Sequence, residues 1–145
     1  MNWGRISIER LKDYNARLVA VESIPEQIKS LELQYSSIRS AIKDEMPVKG
    51  GTCAREDALL NNIAKREELK LNLEIAEREI SITKKGLSVL TEQERRVLTL
   101  FYVDRPKDYM KKLCDEMMFE KTKIYQIKDE ALRKFTKAVY GVIQI

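Results

Sequence analysis

The sequence predicts an all-α protein in which long N-terminal helices form an antiparallel hairpin and a C-terminal module of three helices follows. Three observations lead there. Charged residues make up 34% of the chain and hydrophobic residues 43%, with five Gly and three Pro, a balance that favours helices over sheet. Apolar residues recur every three or four positions over much of residues 8–90. A capping sequence at Thr91 then opens a series of shorter helices.

Ile8, Leu11, Leu18 and Val21 fall at helical spacing with Arg, Lys, Glu and Asp between them, and Pro25 ends or kinks that helix. Ile28, Leu31, Tyr35, Ile38 and Ile42 alternate by three and four, the narrow seam of a second helix that stops near Met46. The stretch Met46-Pro-Val-Lys-Gly-Gly-Thr52 reads as a loop, because Pro removes a donor and Gly admits positive φ. Beyond it Leu69, Leu73, Ala76, Ile80, Thr83, Leu87 and Leu90 imply a long helix from about Arg55 to about Leu87, with Asn62 and Arg66 interrupting its seam. A short connection makes the two seamed helices antiparallel neighbours. Their seams are either consumed by internal packing or left in part for a second chain. The stripe around Leu11 also needs cover, from its own hairpin or from another chain; pairing of two chains through these helices makes a homodimer the expected state. Residues 1–88 are thus a helical hairpin and oligomerisation scaffold, and residues 89–145 a separate module.

In that module Thr91-Glu92-Gln93-Glu94 is a capping box, and Val97, Leu98, Phe101 and Tyr102 form the apolar face of the helix it opens, which Asp104-Arg105-Pro106 ends. Met110, Leu113, Cys114 and Met117 lie at i, i+3, i+4 and i+7 of a short helix with Asp108 placed to cap it. After Met118-Phe119-Glu120 a third helix runs from about Lys121 to Phe135 or beyond. Its apolar face is Ile124, Ile127, Ala131 and Phe135; its opposite face carries Thr122, Gln126, Asp129 and Arg133. Two short helices across a tight turn, with a polar outer face on the second, read either as an ordinary packing unit or as a helix-turn-helix that lays its second helix in the major groove of DNA. A Gln126 amide can donate to and accept from adenine, while Lys121 and Lys123 can meet phosphate or guanine.

Residues 1–90 carry 15 Lys+Arg against 14 Asp+Glu and residues 91–145 carry 12 against 9, so the small net charge of +4 sits mainly in the C-terminal part. No His is present, and Cys53 and Cys114 are neither spaced as metal ligands nor a disulfide framework. No metal and no cofactor are expected. No His is available as a general base, no nucleotide-binding glycine loop is followed by Lys, and Cys53, placed in the loop, lacks an activating partner, so an enzyme is not expected. Asp115-Glu116 and Glu67-Glu68 read as solvated helix surface. Neither a signal-peptide run nor a membrane-length apolar stretch occurs, which gives the expectation of a soluble, cytoplasmic protein with no membrane partner.

Leu90-Thr-Glu-Gln-Glu-Arg-Arg-Val-Leu-Thr-Leu-Phe-Tyr102, followed by Lys123-Ile-Tyr-Gln-Ile-Lys-Asp-Glu-Ala-Leu-Arg-Lys-Phe135, resembles region 4 of the primary sigma factors of bacterial RNA polymerase. The whole layout resembles, more loosely, small phage and prophage transcriptional regulators of the ArpU and RinA type. The resemblance implies that Lys121, Thr122, Lys123 and Gln126, with Tyr125 alongside, contact bases and phosphates. Arg133 lies on the same outer face. The sequence departs from the family at Met118, where the turn has Gly, at Glu120, where Ser or Thr is frequent, and at Tyr109, where Thr caps the preceding helix. The turn is therefore expected to lack its positive-φ residue, and Glu120 to bring negative charge towards DNA. The function implied is a sequence-specific DNA-binding transcriptional regulator of phage or prophage type, with double-stranded DNA as partner and RNA polymerase as a further one. The alternative is an oligomeric phage DNA-packaging or assembly subunit with a helix-turn-helix.

Overall fold

The computed structural model describes residues 1–44 and 51–142, with residues 44 and 51–53 described by their backbone alone. The described residues form five α-helices and no strand: α1 (Trp3–Asp44), α2 (Gly51–Ser88), α3 (Glu92–Leu98), α4 (Tyr109–Met117) and α5 (Lys121–Tyr140). The all-α expectation holds. Pro25 does not end the first helix, so one 42-residue helix stands where two were expected. An interior proline removes one ladder bond at a cost of about 3 kcal/mol. Pro25 is itself exposed, while the seam continues past it through buried Ile24 and half-buried Ile28 and Leu31. Packing of that seam offsets the lost bond. α2 begins at Gly51 rather than near Arg55, which puts Cys53 in its first turn and not in a loop. Most of the expected loop, residues 46–50, lies outside the described residues.

The chain packs as two compact units, Met1–Leu18 with Arg78–Ile145, and Val19–Glu77. The boundary expected near residue 88 and this division differ, because the N-terminal stripe takes part in the core of the C-terminal helices. Fully buried Leu11 clusters with Leu90, Leu98, Ala131, Leu132 and Phe135, and Ile8 and Leu87 pack against them. Cover for Leu11 thus comes from within the chain, from its C-terminal helices together with the end of α2. Ser7 Oγ and Thr136 Oγ1, both fully buried, lie 2.8 Å apart in the same unit, and Thr136 Oγ1 is 2.7 Å from the Leu132 carbonyl oxygen. Arg10 donates to Glu79 and, at 3.0 Å, to the Tyr140 hydroxyl, whose ring stacks on Trp3. A Cβ on Gly86 would stand 2.6 Å from Val139 Cγ2 and 2.7 Å from Phe135 Cε2, so α2 and α5 approach at a point that admits only glycine.

The second unit is an antiparallel pair. Arg55 reaches the carbonyl of Ala41 and Asn62 that of Leu31, so partners ascend on α2 as they descend on α1. Asn62 and Arg66 do not interrupt the seam as defects. The Asn62 amide donates to Leu31 O at 2.8 Å, its oxygen accepts from Arg66 Nε at 2.9 Å, and the Arg66 guanidinium lies 4.9 Å from the Tyr35 ring centre. A seam asparagine whose bonds are met at only one alignment fixes the register of the two helices.

Candidate nucleic-acid interface

α3 starts as its capping box dictates: Glu94 N donates to Thr91 Oγ1 at 3.2 Å and Thr91 N to Glu94 Oε1 at 3.1 Å. Lys134 of α5 also reaches Glu94, at 3.1 Å. Burial pushes the Glu94 carboxyl up, but the Thr91 N–H, Lys134 and the Thr91 hydroxyl together outweigh it and hold the group below its ordinary range. The helix then widens into a π-helical stretch, Thr99–Val103, closed by Asp104 N on Thr99 O at 2.9 Å. Both Leu100 and Phe101 are thereby buried, and Leu100 is a core residue that the helical spacing did not single out. Asn15 of α1 donates to Val103 O and Asp104 Oδ1 at the end of this stretch.

α4 follows, with Leu113 buried and Met110, Cys114 and Met117 packed around it, as their spacing requires. Asp108 occupies the N-cap position but makes no capping bond; its carboxylate lies 3.7 Å from Lys112 Nζ instead. Glu116 is more than solvated surface, for it accepts two bonds from Arg96, at 2.8 and 3.0 Å, and ties α4 to α3. Three residues, Met118 to Glu120, join α4 to α5. The expectation of a turn without a positive-φ residue is corrected: Met118 itself adopts the left-handed conformation, φ 59°, ψ 35°, and its side chain is exposed. Glu120 stands at the N-cap of α5 without a side-chain bond to the helix.

α5 is held by Ile124, Ile127, Ala131, Leu132, Phe135 and Thr136, all buried. That packing turns Lys121, Thr122, Lys123, Tyr125, Gln126 and Arg133 outward, every one of them exposed. Thr122, Gln126, Asp129 and Arg133 lie along one line of the helix, which Lys137 extends by a further turn; Gln126, Asp129, Arg133 and Lys137 border a shallow depression of about 500 Å³. Lys137 was missed, although its i+4 spacing from Arg133 was legible. Tyr125 is fixed at its base, its ring edge-on to Phe101 at 5.8 Å. Lys123 Nζ stands 6.0 Å from the centre of the Phe119 ring.

The remaining lysines of α5 are engaged. Lys128 pairs with Asp129 at 2.6 Å and lies over the Phe101 and Tyr125 rings. Burial pulls the Lys128 ammonium down, but Asp129 and the Tyr102 hydroxyl raise it further, leaving it above its ordinary value and charged. Lys134 bridges Glu94 and Glu130. On α5 the outward cations without an acidic partner among the described residues are therefore Lys121, Lys123, Arg133 and Lys137. No group of three or more His, Cys, Asp or Glu gathers for a metal among the described residues, and none of the described helices is long and apolar enough to cross a membrane. Comparison with protein-family models, with curated proteins and with solved structures finds no match for the chain.

Proposed function

We propose that the chain is a sequence-specific DNA-binding transcriptional regulator, acting in the cytoplasm as a homodimer, in which α5 enters the major groove and Gln126 reads a base edge. One observation carries the reading: α4, a three-residue turn and α5 leave an outward line of Thr122, Gln126 and Arg133, flanked by Lys121 and Lys123. An amide at that place can bond adenine bidentately, and unpaired cations on either side supply phosphate contacts. The resemblance of residues 90–135 to sigma region 4 supports the same role and adds RNA polymerase as a second partner and phage or prophage regulation as the setting. Tyr125, exposed and held edge-on to Phe101, neighbours Gln126 in sequence on the outward part of α5. Asp129 is neutralised by Lys128, which removes one repulsion from the phosphate backbone.

Selection of bound duplexes from a random pool, followed by titration of the recovered site, tests this. Gln126→Ala is expected to cost roughly 1–3 kcal/mol on the selected site and to relax preference at one base pair, whereas Lys123→Ala weakens all duplexes about equally and lowers the salt slope by about one. Recovery of no enriched sequence, or unchanged binding in both variants, defeats the proposal.

A further inference from the structure

The hairpin of residues 19–77 leaves one side of its seam open. A groove of about 470 Å³ runs between its helices, with Leu31 and Leu69 as apolar floor and Gln27 and Ser30 on the α1 rim. A second groove of about 280 Å³ continues from Leu31 and Lys65 to Ile38 and Ala58. Two helices alone cannot close both sides of a seam, and Leu31, Ile38 and Leu69 accordingly remain half-buried.

The α2 rim of these grooves is Asn61, Lys65, Glu68 and Asn72, all exposed. Their four-three-four spacing places them on one line of the helix. The line is self-complementary about its midpoint between Arg66 and Glu67, since it runs amide, cation, anion, amide. Neither Lys65 nor Glu68 has an ion-pair partner among the described residues.

We propose that the groove is covered by a second copy of this chain, with α2 antiparallel to its equivalent about a twofold axis beside residues 66 and 67. Lys65 then faces Glu68 of the partner subunit and Asn61 faces Asn72 of the partner subunit, each pairing occurring twice. A parallel arrangement would instead set like charges against each other. The α1 rim adds Gln27, Ser30 and Gln34, which carry no charge and oppose no approach. The inference deepens the reading above, which needs two copies to bring two α5 helices to DNA, but its test is made without DNA, so that either can fail alone.

Sedimentation equilibrium of the full chain at micromolar concentration is expected to give a dimer. Lys65→Glu and Glu68→Lys, both at exposed positions, should each weaken it by on the order of ten-fold or more, because each turns two attractive pairs into repulsive ones. Circular dichroism of the two variants should match the parent. Mixed in equal amounts they should form a 1:1 heterodimer, in which all four charges again meet opposites, a result that no contact within one chain can produce. A monomeric parent, single variants that dimerise as the parent does, or a mixture no stronger than its components overturns the proposal.

Discussion

Ser7 and Thr136, 129 positions apart in sequence, place their hydroxyl oxygens 2.8 Å from each other in a fully buried site between α1 and α5. The N-terminal residues therefore belong to the same core as the proposed reading helix. Leu11→Ala should lower unfolding free energy by about 2–5 kcal/mol, the range for emptying a closed core position, and weaken DNA binding through loss of folded protein rather than through any contact. A fragment beginning near Ser88 lacks Ser7, Ile8, Leu11 and Gly86; denaturant titration should show no cooperative transition. A sharply folding fragment would refute the shared core.

Gly86 lies inside α2, where alanine normally stabilises a helix by up to about 1 kcal/mol. Here the added carbon meets Phe135 and Val139 below 3 Å, so Gly86→Ala is expected to destabilise, by about 1–3 kcal/mol. Thermal unfolding of the single variant checks the sign, which propensity and packing predict oppositely.

Much of this was legible because it is local. The capping box at Thr91, the α2 seam from Leu69 to Leu87 and the inward face of α5 all follow from spacing, and all are found. What spacing could not show is which stripe meets which. Leu11 reads as one more apolar position on an N-terminal helix, and nothing near it in sequence points to Phe135. Pro25 misled because its local cost is real but smaller than the packing on either side of it. The outward placement of Lys121, Lys123 and Gln126 was readable from the apolar face opposite. That Lys128 and Lys134 are tied down was not, since their partners include Glu94 and Phe101 on other elements.

The depressed Glu94 carboxyl gives stability a pH dependence with a definite sign. Its pKa is lower in the folded chain than unfolded, so the native state binds fewer protons there; the contribution is complete above the unfolded value, about 4.3, and is lost as pH falls through the folded one. Thr91→Ala removes one side of the box and should cost about 1 kcal/mol at neutral pH. Glu94→Gln should flatten the acid limb of a stability–pH profile below about pH 4.5. An acid limb as steep as that of the parent would show that Glu94 does not titrate as this geometry requires.

Met118 offers the cleanest separation of turn strain from function. Its left-handed backbone disfavours any residue with a Cβ, while its side chain is 86% exposed and so contributes little packing. Met118→Gly relieves that strain, partly offset by the greater freedom glycine gives the unfolded chain, and a net gain of about 0.5–1 kcal/mol is expected. Met118→Val, β-branched at positive φ, should instead lose about 1–2 kcal/mol. Because the turn sets how α5 leaves α4 without touching the outward line of Gln126, the glycine variant should keep the base preference of the parent while unfolding at higher denaturant. A glycine variant that is no more stable, with valine equally tolerated, would mean that residues 118–120 do not hold this turn in solution. The helix-turn-helix reading of α4 and α5 would then lose its geometric basis.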